Sequence, residues 1–410
     1  MTKRVVVVGA GAAGSMAAIF AAGGGAETIL VERTRDGGRK ILISGGGRCN
    51  VLPSTVDESR FVTDSSPNLL RKMVRAWPLA EQRAFFEQRL GIPLVEEVES
   101  AKLFPASHRA RDVRDGLLAY ARDQRVQMRM DTRVTAIAPT ASGWTVSIDH
   151  DVPLECDVVI IATGGLSVPA TGSDGAGLSM LAALGHVMHP TYAALTPLTT
   201  HHAAFNELSG VSLTVSLTAR SEARQAYATG GFLFTHHGYS GPSVLDVSHV
   251  AVRARAERST AHVQVQWTSL DDAAWELALK PHGARTVTGA LRAVLPDRLA
   301  AALLVQAGVD ATRPLSELRR EERRALITVL VRGELPWHGD EGYKKAEVTG
   351  GGIALSEVNP RTMESKRHPG LFLCGEVLDA FGPIGGYNFL WAWATGRAAG
   401  IGASDLRPTP

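Results

Sequence analysis

Cysteine is scarce in this chain: three in 410 residues, Cys49, Cys156 and Cys374, far apart and odd in number. They form no CxxC pair and no metal-ligand spacing, which argues against a disulfide framework or a zinc site and points to a reducing compartment. An excess of charge of either sign is also missing, because 43 basic residues face 41 acidic ones and the formal net charge is +2. Such a balance gives no whole-protein field for nucleic acid or an anionic membrane, so a nucleic-acid partner is not expected beyond what a local patch could hold. No internal repeat or low-complexity linker is evident. What remains is an ordinary globular composition, 45% hydrophobic and 20% charged, over a length that suggests two or three domains.

One long stretch lacks charge. Lys3-Arg4 precede a run from Val5 to Ala26 that superficially resembles an export signal or a membrane span. The run nevertheless holds glycines at 9, 11, 14, 23, 24 and 25. Four consecutive valines followed by Gly9-Ala10-Gly11-Ala12-Ala13-Gly14 read better as a buried strand turning into a helix. The expected location is therefore cytoplasmic, with no membrane partner.

Ala12 to about Ala22 reads as a small-residue helix and 27–32 (ETILVE) as a second strand, completing a βαβ unit. Residues 66–90 and 111–124 carry helical spacing, 126–137 and 144–148 look like strands, and 157–162 (DVVIIA) is another buried strand. From about 195 to 268 polar and apolar residues alternate, as in SLTVSLT (212–218) and HVQVQW (262–267), the period of half-exposed antiparallel strands. From 271 to about 332 the pattern is helical. Glycine-rich, buried-strand texture then returns, with GLFLCGE at 370–376. The expected fold is α/β: a doubly wound nucleotide-binding domain in two parts, 1–190 and 349–410, with a β-rich region (191–270) and a helical subdomain (271–348) inserted. Arg319, Arg320, Arg323 and Arg324 alternate with Glu317, Glu321 and Glu322 on a helix, where solvated pairing is the default.

Gly9-x-Gly11-x-x-Gly14 directly follows a strand and opens a helix, the context that gives this spacing meaning. Gly9 permits the tight turn, Gly11 lets a pyrophosphate approach the backbone, and Gly14 lets helix and strand pack closely. Glu32, eighteen residues past Gly14, is placed to accept both ribose hydroxyls and would repel a 2′-phosphate. This much fits NAD or FAD equally. A second glycine-rich loop, DGGRKILISGGGRCN (36–50), separates them: Arg39 and Lys40 can neutralise phosphate, and Gly45–Gly47 let backbone lie against a flat ring. Thr163-Gly164 after a buried strand, Glu376 as an acceptor for ribityl hydroxyls, and Gly385-Gly386-Tyr387-Asn388 opening a last helix complete the signals for FAD. That helix, starting at about Asn388, would direct its dipole at the pyrimidine side of the ring, worth about 1–2 kcal/mol.

The stretches GAGAAG (9–14), GGRKILISGGGRCN (37–50), FTHHGYSGPSVLDVS (234–248), TGGGIALSEVNPRTMESK (349–366) and the run from GLFLCGEVLD to GGYN..WAW..G (370–396) carry a resemblance. Together they resemble a bacterial family of flavoproteins labelled aminoacetone-oxidase-type or BaiN-type, and the matches span nearly the whole chain. The resemblance implies noncovalent FAD, a Rossmann-type domain and an inserted β-barrel with a helical subdomain. The chain departs from the family where Val51 is followed by Leu52-Pro53-Ser54, and in the bulkier segment 380–384. The expected cofactor contacts are Gly9, Gly11, Ala13, Gly14, Glu32, Arg33, Arg39, Lys40, Ser44, Gly45, Gly46, Gly47, Cys49, Val134, Thr163, Gly164, Gly375, Glu376, Gly386, Tyr387 and Asn388.

FAD would supply N5 as hydride acceptor or donor, and the protein position and polarity. No second strand–GxGxxG–helix unit is present, which argues against a dedicated NAD(P)H domain and leaves NAD(P)H as a transient electron donor. Tyr387, Asn388, His236 and Tyr239 are the catalytic candidates, with Arg48 and His237 beside them. The adjacent His236 and His237 would point to opposite faces of an extended strand, which disfavours a shared metal. Cys49 reads as a small packed residue rather than a redox thiol. The expected function is oxidoreduction of a small organic molecule, either reduction of an activated C=C bond or oxidation of an amine or C–H centre. An RNA-modifying flavoprotein and a flavin protein without turnover are the alternatives. Substrate is expected over the isoalloxazine, bounded by the GGGRCN loop, the GGYN turn and the insertion.

Overall fold

Val5–Val8 carry no polar group to keep in water, and burial on both faces follows: none is more than 5% exposed. In the computed structural model, which describes residues 2–405 apart from 203, 204, 206 and 282, Arg4–Val8 (β1) is the middle strand of a parallel sheet. The last five residues of the expected 349–410 segment lie outside the described residues. Glu27–Val31 (β2), Gln127–Arg129 (β3), Val158–Ile161 (β4) and Leu371–Leu373 (β5) complete the sheet in the order β5-β4-β1-β2-β3. Val8 pairs with Val31 on one side and Ile161 on the other.

The chain divides into two units, residues 1–191 with 348–410, and residues 192–347. In the first, Ala12–Gly23 (α1) packs against Tyr387–Asp405 (α2). Glycine makes the close crossing feasible: a Cβ on Gly396 would lie 2.4 Å from Ala13 O, and one on Gly400 2.4 Å from Ala17 O. Two expected elements are interrupted. The helix read over 66–90 breaks at Trp77-Pro78 into Pro67–Arg75 and Leu79–Ala84, because the residue before proline is driven out of helical geometry. The strand read over 126–137 splits into β3 and Val134–Pro139, the latter in an antiparallel meander with Trp144–Ile148 and Leu154–Cys156. Asp131, at φ 54°, lies between the two.

The second unit is built on one seven-stranded antiparallel sheet. Its order is Gly333–Glu334, Ala261–Gln266, Ser212–Ser221, Gln225–Phe234, Gly238–Ser240, Leu198–Thr199 and Gly339–Asp340. Alternation buries Val215, Leu217 and Ala219 with Val263 and Val265 on one face, against helix Pro242–Ala256. The helices Asp272–Ala278, Val287–Arg292, Asp297–Ala307 and Arg320–Arg332 follow. Every pairing among this sheet's described strands is antiparallel, so it is no second Rossmann sheet.

Candidate functional site

Parallel strands deliver their carboxyl ends to one edge of a sheet, where doubly wound folds bind ligands. That edge gathers Gly9–Gly11 after β1, Glu32 after β2, Ala162–Gly165 after β4 and Cys374–Glu376 after β5.

The three glycines of the 9–14 turn have different reasons to be glycine. Gly9 sits at φ 103°, and a Cβ there would lie 2.6 Å from Ala162 O; one on Gly14 would lie 1.8 Å from Gly9 O. The fold itself demands both. Gly11 has an ordinary φ of −76°, and a Cβ added there would meet nothing within 4 Å. Its bareness serves nothing inside the chain and suits the approach of a ligand. As N-cap of α1 it supplies no side-chain bond, so the first N–H groups of the helix are left to an anion.

Glu32 is 8% exposed. Its Oε2 accepts from Ala10 N–H (2.7 Å), and its Oε1 from Thr34 N–H (2.8 Å) and Thr34 Oγ1 (2.7 Å). The carboxylate is thus oriented by the loops on either side, with acceptor capacity left over for hydroxyls. In the second glycine loop, helix Arg39–Ile43 gives way to Gly45, Gly46 and Gly47 at φ 54°, 68° and 85°, a left-handed run that side chains resist. Asn50 Oδ1 is buried beneath it without a hydrogen-bond partner among the described residues, an acceptor suited to an N–H or O–H of a bound group.

The two cations expected to neutralise phosphate are both held by carboxylates. Arg39 Nε donates to Asp36 at 2.7 Å, and Lys40 Nζ to Glu376 Oε2 at 2.5 Å and to Ser167 Oγ. Glu376 Oε1 accepts from Ser167 Oγ (2.6 Å) and Thr349 N–H (2.9 Å). Burial would raise the Glu376 pKa; the Lys40 ammonium and the Ser167 and Thr349 hydrogen bonds outweigh it and hold the carboxyl below its usual range. Sequence reading missed Ser167 and Thr349, although each lies just beyond or at the head of a noted glycine stretch. Helix α2 braces this corner: Trp391 Nε1 donates to Gly375 O (3.1 Å), Thr395 Oγ1 accepts from Gly375 N–H (3.0 Å), and Trp393 Nε1 donates to Val51 O (3.0 Å).

Other expected contacts fall nearby in sequence or space. Arg33 pairs with Asp174, Ser44 Oγ donates to Ile41 O (2.7 Å), Thr163 Oγ1 to Gly164 O (3.4 Å), and Ala13 and Val134 are buried. Gly386, at φ 95°, packs so closely that a Cβ would lie 2.4 Å from Leu52 C. Cys49 has no exposed surface, and burial pushes its thiol up to about 12, leaving only its main chain to meet a cofactor.

The expected catalytic set is largely committed to the main chain. Tyr387 Oη accepts from Asp57 N–H and donates to Thr55 O, both at 3.3 Å. Asn388 is bidentate to Gly382, its Oδ1 accepting from the N–H and its Nδ2 donating to the carbonyl, each at 2.9 Å. Tyr239 packs as a core residue. It is wholly buried against Phe205, Phe232 and Phe234 and donates to Pro336 O (2.9 Å). His236 and His237 are exposed in the turn between Gln225–Phe234 and Gly238–Ser240, not on an extended strand. Arg48 donates to Glu97 (2.8 Å) and lies over the Phe104 ring.

The class of protein defined by this fold and edge is the Rossmann-type FAD-binding oxidoreductase. The chain belongs to the HI0933-like family, whose Rossmann-domain model matches residues 3–402. It is 32% identical over 410 residues to a ribosomal RNA dihydrouridine synthase of Escherichia coli, covering 98% of this chain and 97% of that one. It is 31% identical over 412 residues to a 3-dehydro-bile acid delta(4,6)-reductase of Clostridium scindens, covering 98% and 99%. Its fold is similar to a 3-ketosteroid delta1-dehydrogenase of Sterolibacterium denitrificans, with TM-score 0.54, 11% identity and coverage of 98% and 100%. Among the described residues no helix is long and apolar enough to cross a membrane.

Proposed function

We propose that this protein uses FAD to reduce a C=C bond conjugated with a carbonyl in a small organic molecule. One observation carries the reading. The two relatives, nearly equal in identity and both matched end to end, are named for reactions on the same kind of bond. A delta(4,6)-reductase of a 3-dehydro bile acid saturates C=C bonds in conjugation with a ring ketone. A dihydrouridine synthase saturates the uracil C=C bond in conjugation with a ring carbonyl.

When bound, FAD supplies the hydride through N5. The chain's own residues hold and orient it. Gly11 and the start of α1 take the pyrophosphate, Glu32 takes the ribose hydroxyls, and Glu376 takes the ribityl hydroxyls. The 45–47 turn offers bare backbone to the ring, while Tyr387 and Asn388 fix the turn that opens α2. The proton that completes saturation of the bond would come from water. NADH or NADPH would supply the electrons as a transient donor.

The names of the relatives also favour a second reading, in which the conjugated bond belongs to a uracil in RNA. An anaerobic stopped-flow experiment tests both. Protein reduced with NADH or NADPH is mixed with a 4,6-dien-3-one bile acid, or with uridine-containing RNA. Flavin reoxidation with a product heavier by two hydrogens is expected in one arm. Reoxidation no faster than in buffer with either compound overturns the proposal.

A further inference from the structure

Helix Pro67–Arg75 buries Leu70, Met73 and Val74 and turns Asn68, Arg71, Lys72 and Arg75 to solvent. With Ala76 and the Pro360-Arg361 corner these residues line a cleft of about 530 Å³. Four of the lining side chains are cations and none is a carboxylate. Only Arg75 is held by an acid, Glu58 at 2.8 Å; Arg71 Nη1 donates to the neutral Asn68 at 3.1 Å. Among the described residues no ion pair involves Arg71, Lys72 or Arg361. The negative end of the helix dipole accounts for Lys72 and Arg75 in the last turn. It does not account for Arg361, which a distant part of the chain brings to the same cleft. In a protein of net charge +2, this is a local concentration of charge.

The cleft is one loop away from the turn that opens α2. Glu58, which holds Arg75, follows Asp57, whose N–H donates to Tyr387 Oη at 3.3 Å. Arg60, from the same loop, lies over the Tyr387 ring at 5.4 Å from its centroid. A small apolar substrate has no use for such a cleft. A nucleotide chain does, because guanidinium forks match phosphate oxygens and each neutralised phosphate releases counterions.

We propose that the cleft lined by Arg71, Lys72, Arg75 and Arg361 binds the phosphodiester backbone of single-stranded RNA. The inference rests on the RNA reading of the proposed function and gives it a docking surface. Its test is fluorescence polarisation of a dye-labelled, uridine-containing RNA of about 15 nucleotides against the FAD-loaded protein, across a series of salt concentrations. Three contacts give a slope of log affinity on log salt of about −2. The triple variant Arg71→Glu/Lys72→Glu/Arg361→Glu is expected to bind at least ~10-fold more weakly with a slope flatter by about 2, with its FAD content unchanged. Should that variant fold poorly, Arg71→Gln/Lys72→Gln/Arg361→Gln removes the same charges more gently and carries the same expectation. Wild type that does not bind the RNA, or variants that bind it with wild-type affinity and slope, overturns the proposal. Reduction of uridine in the same RNA is measured on the same samples: wild type that reduces it while the variants bind with wild-type affinity and slope counts against the cleft alone, whereas wild type that neither binds nor reduces it counts against the RNA reading as well.

Discussion

Lys40 and Glu376 stand 336 positions apart in sequence and meet at 2.5 Å beside Ser167, joining the two stretches of chain that make the first unit. Both side chains are mostly buried, 27% and 18% exposed, so neither charge is fully hydrated without the other. Lys40→Met should therefore destabilise the apoprotein by about 2 kcal/mol, discounted for partial exposure from what a fully buried pair would lose. Chemical denaturation measures this. Because the folded Glu376 pKa lies below its ordinary 4.5, the unfolded state binds more protons in acid. The pair's contribution is present at neutral pH and lost as pH falls from about 5 through the folded value. The acid limb of stability against pH should be shallower in Lys40→Met; an unchanged limb would show that the depression has another source.

Gly11 and Gly14 separate ligand demand from fold demand. Gly11→Ala should leave the melting temperature of the apoprotein within about 2 °C of wild type, a fraction of a kcal/mol, because its Cβ meets nothing. Gly11→Val should abolish FAD binding. Gly14→Ala should cost more than about 3 kcal/mol, since its Cβ would sit 1.8 Å from Gly9 O. Melting curves of apoprotein and flavin content of purified protein read the two effects independently.

Glu32→Ala should weaken FAD binding by roughly 1–3 kcal/mol, the loss of charge-assisted bonds. It should also lower apoprotein stability, because the Ala10 and Thr34 N–H groups lose their acceptor. Titration of apoprotein with FAD, followed by quenching of flavin fluorescence, gives the first quantity. Unchanged affinity would place the ribose elsewhere.

Tyr239→Phe should cost about 1 kcal/mol of stability, because Pro336 O loses its donor, with turnover of any verified substrate unchanged. A fall in kcat without a fall in melting temperature would return Tyr239 to the active site.

All three thiols are buried, and burial pushes Cys49 and Cys156 up to about 12 and raises Cys374 as well. Iodoacetamide at pH 8 should leave the native protein unlabelled and modify all three cysteines after denaturation. Rapid alkylation of Cys49 in the native apoprotein would reopen a redox role for it.

The sequence by itself determined the Rossmann core, since its signals are local. Four valines, a glycine turn at the required spacing, a small-residue helix and an acid after the next strand each act within a few residues of their neighbours. The alternation at 212–218 and 262–267 likewise placed antiparallel strands, because a period of two puts one face in the core. Tertiary structure decided the partners. Whether Tyr387 and Asn388 are free to move protons depends on Thr55, Asp57 and Gly382 arriving beside them. That Tyr239 is core depends on Phe205, Phe232, Phe234 and Pro336 closing round it. Arg361 becomes part of a basic cleft only because a remote corner packs beside Pro67–Arg75. Residue type states what a side chain is able to do; burial and hydrogen-bond satisfaction, which arise from contacts distant in sequence, decide what is left for it to do.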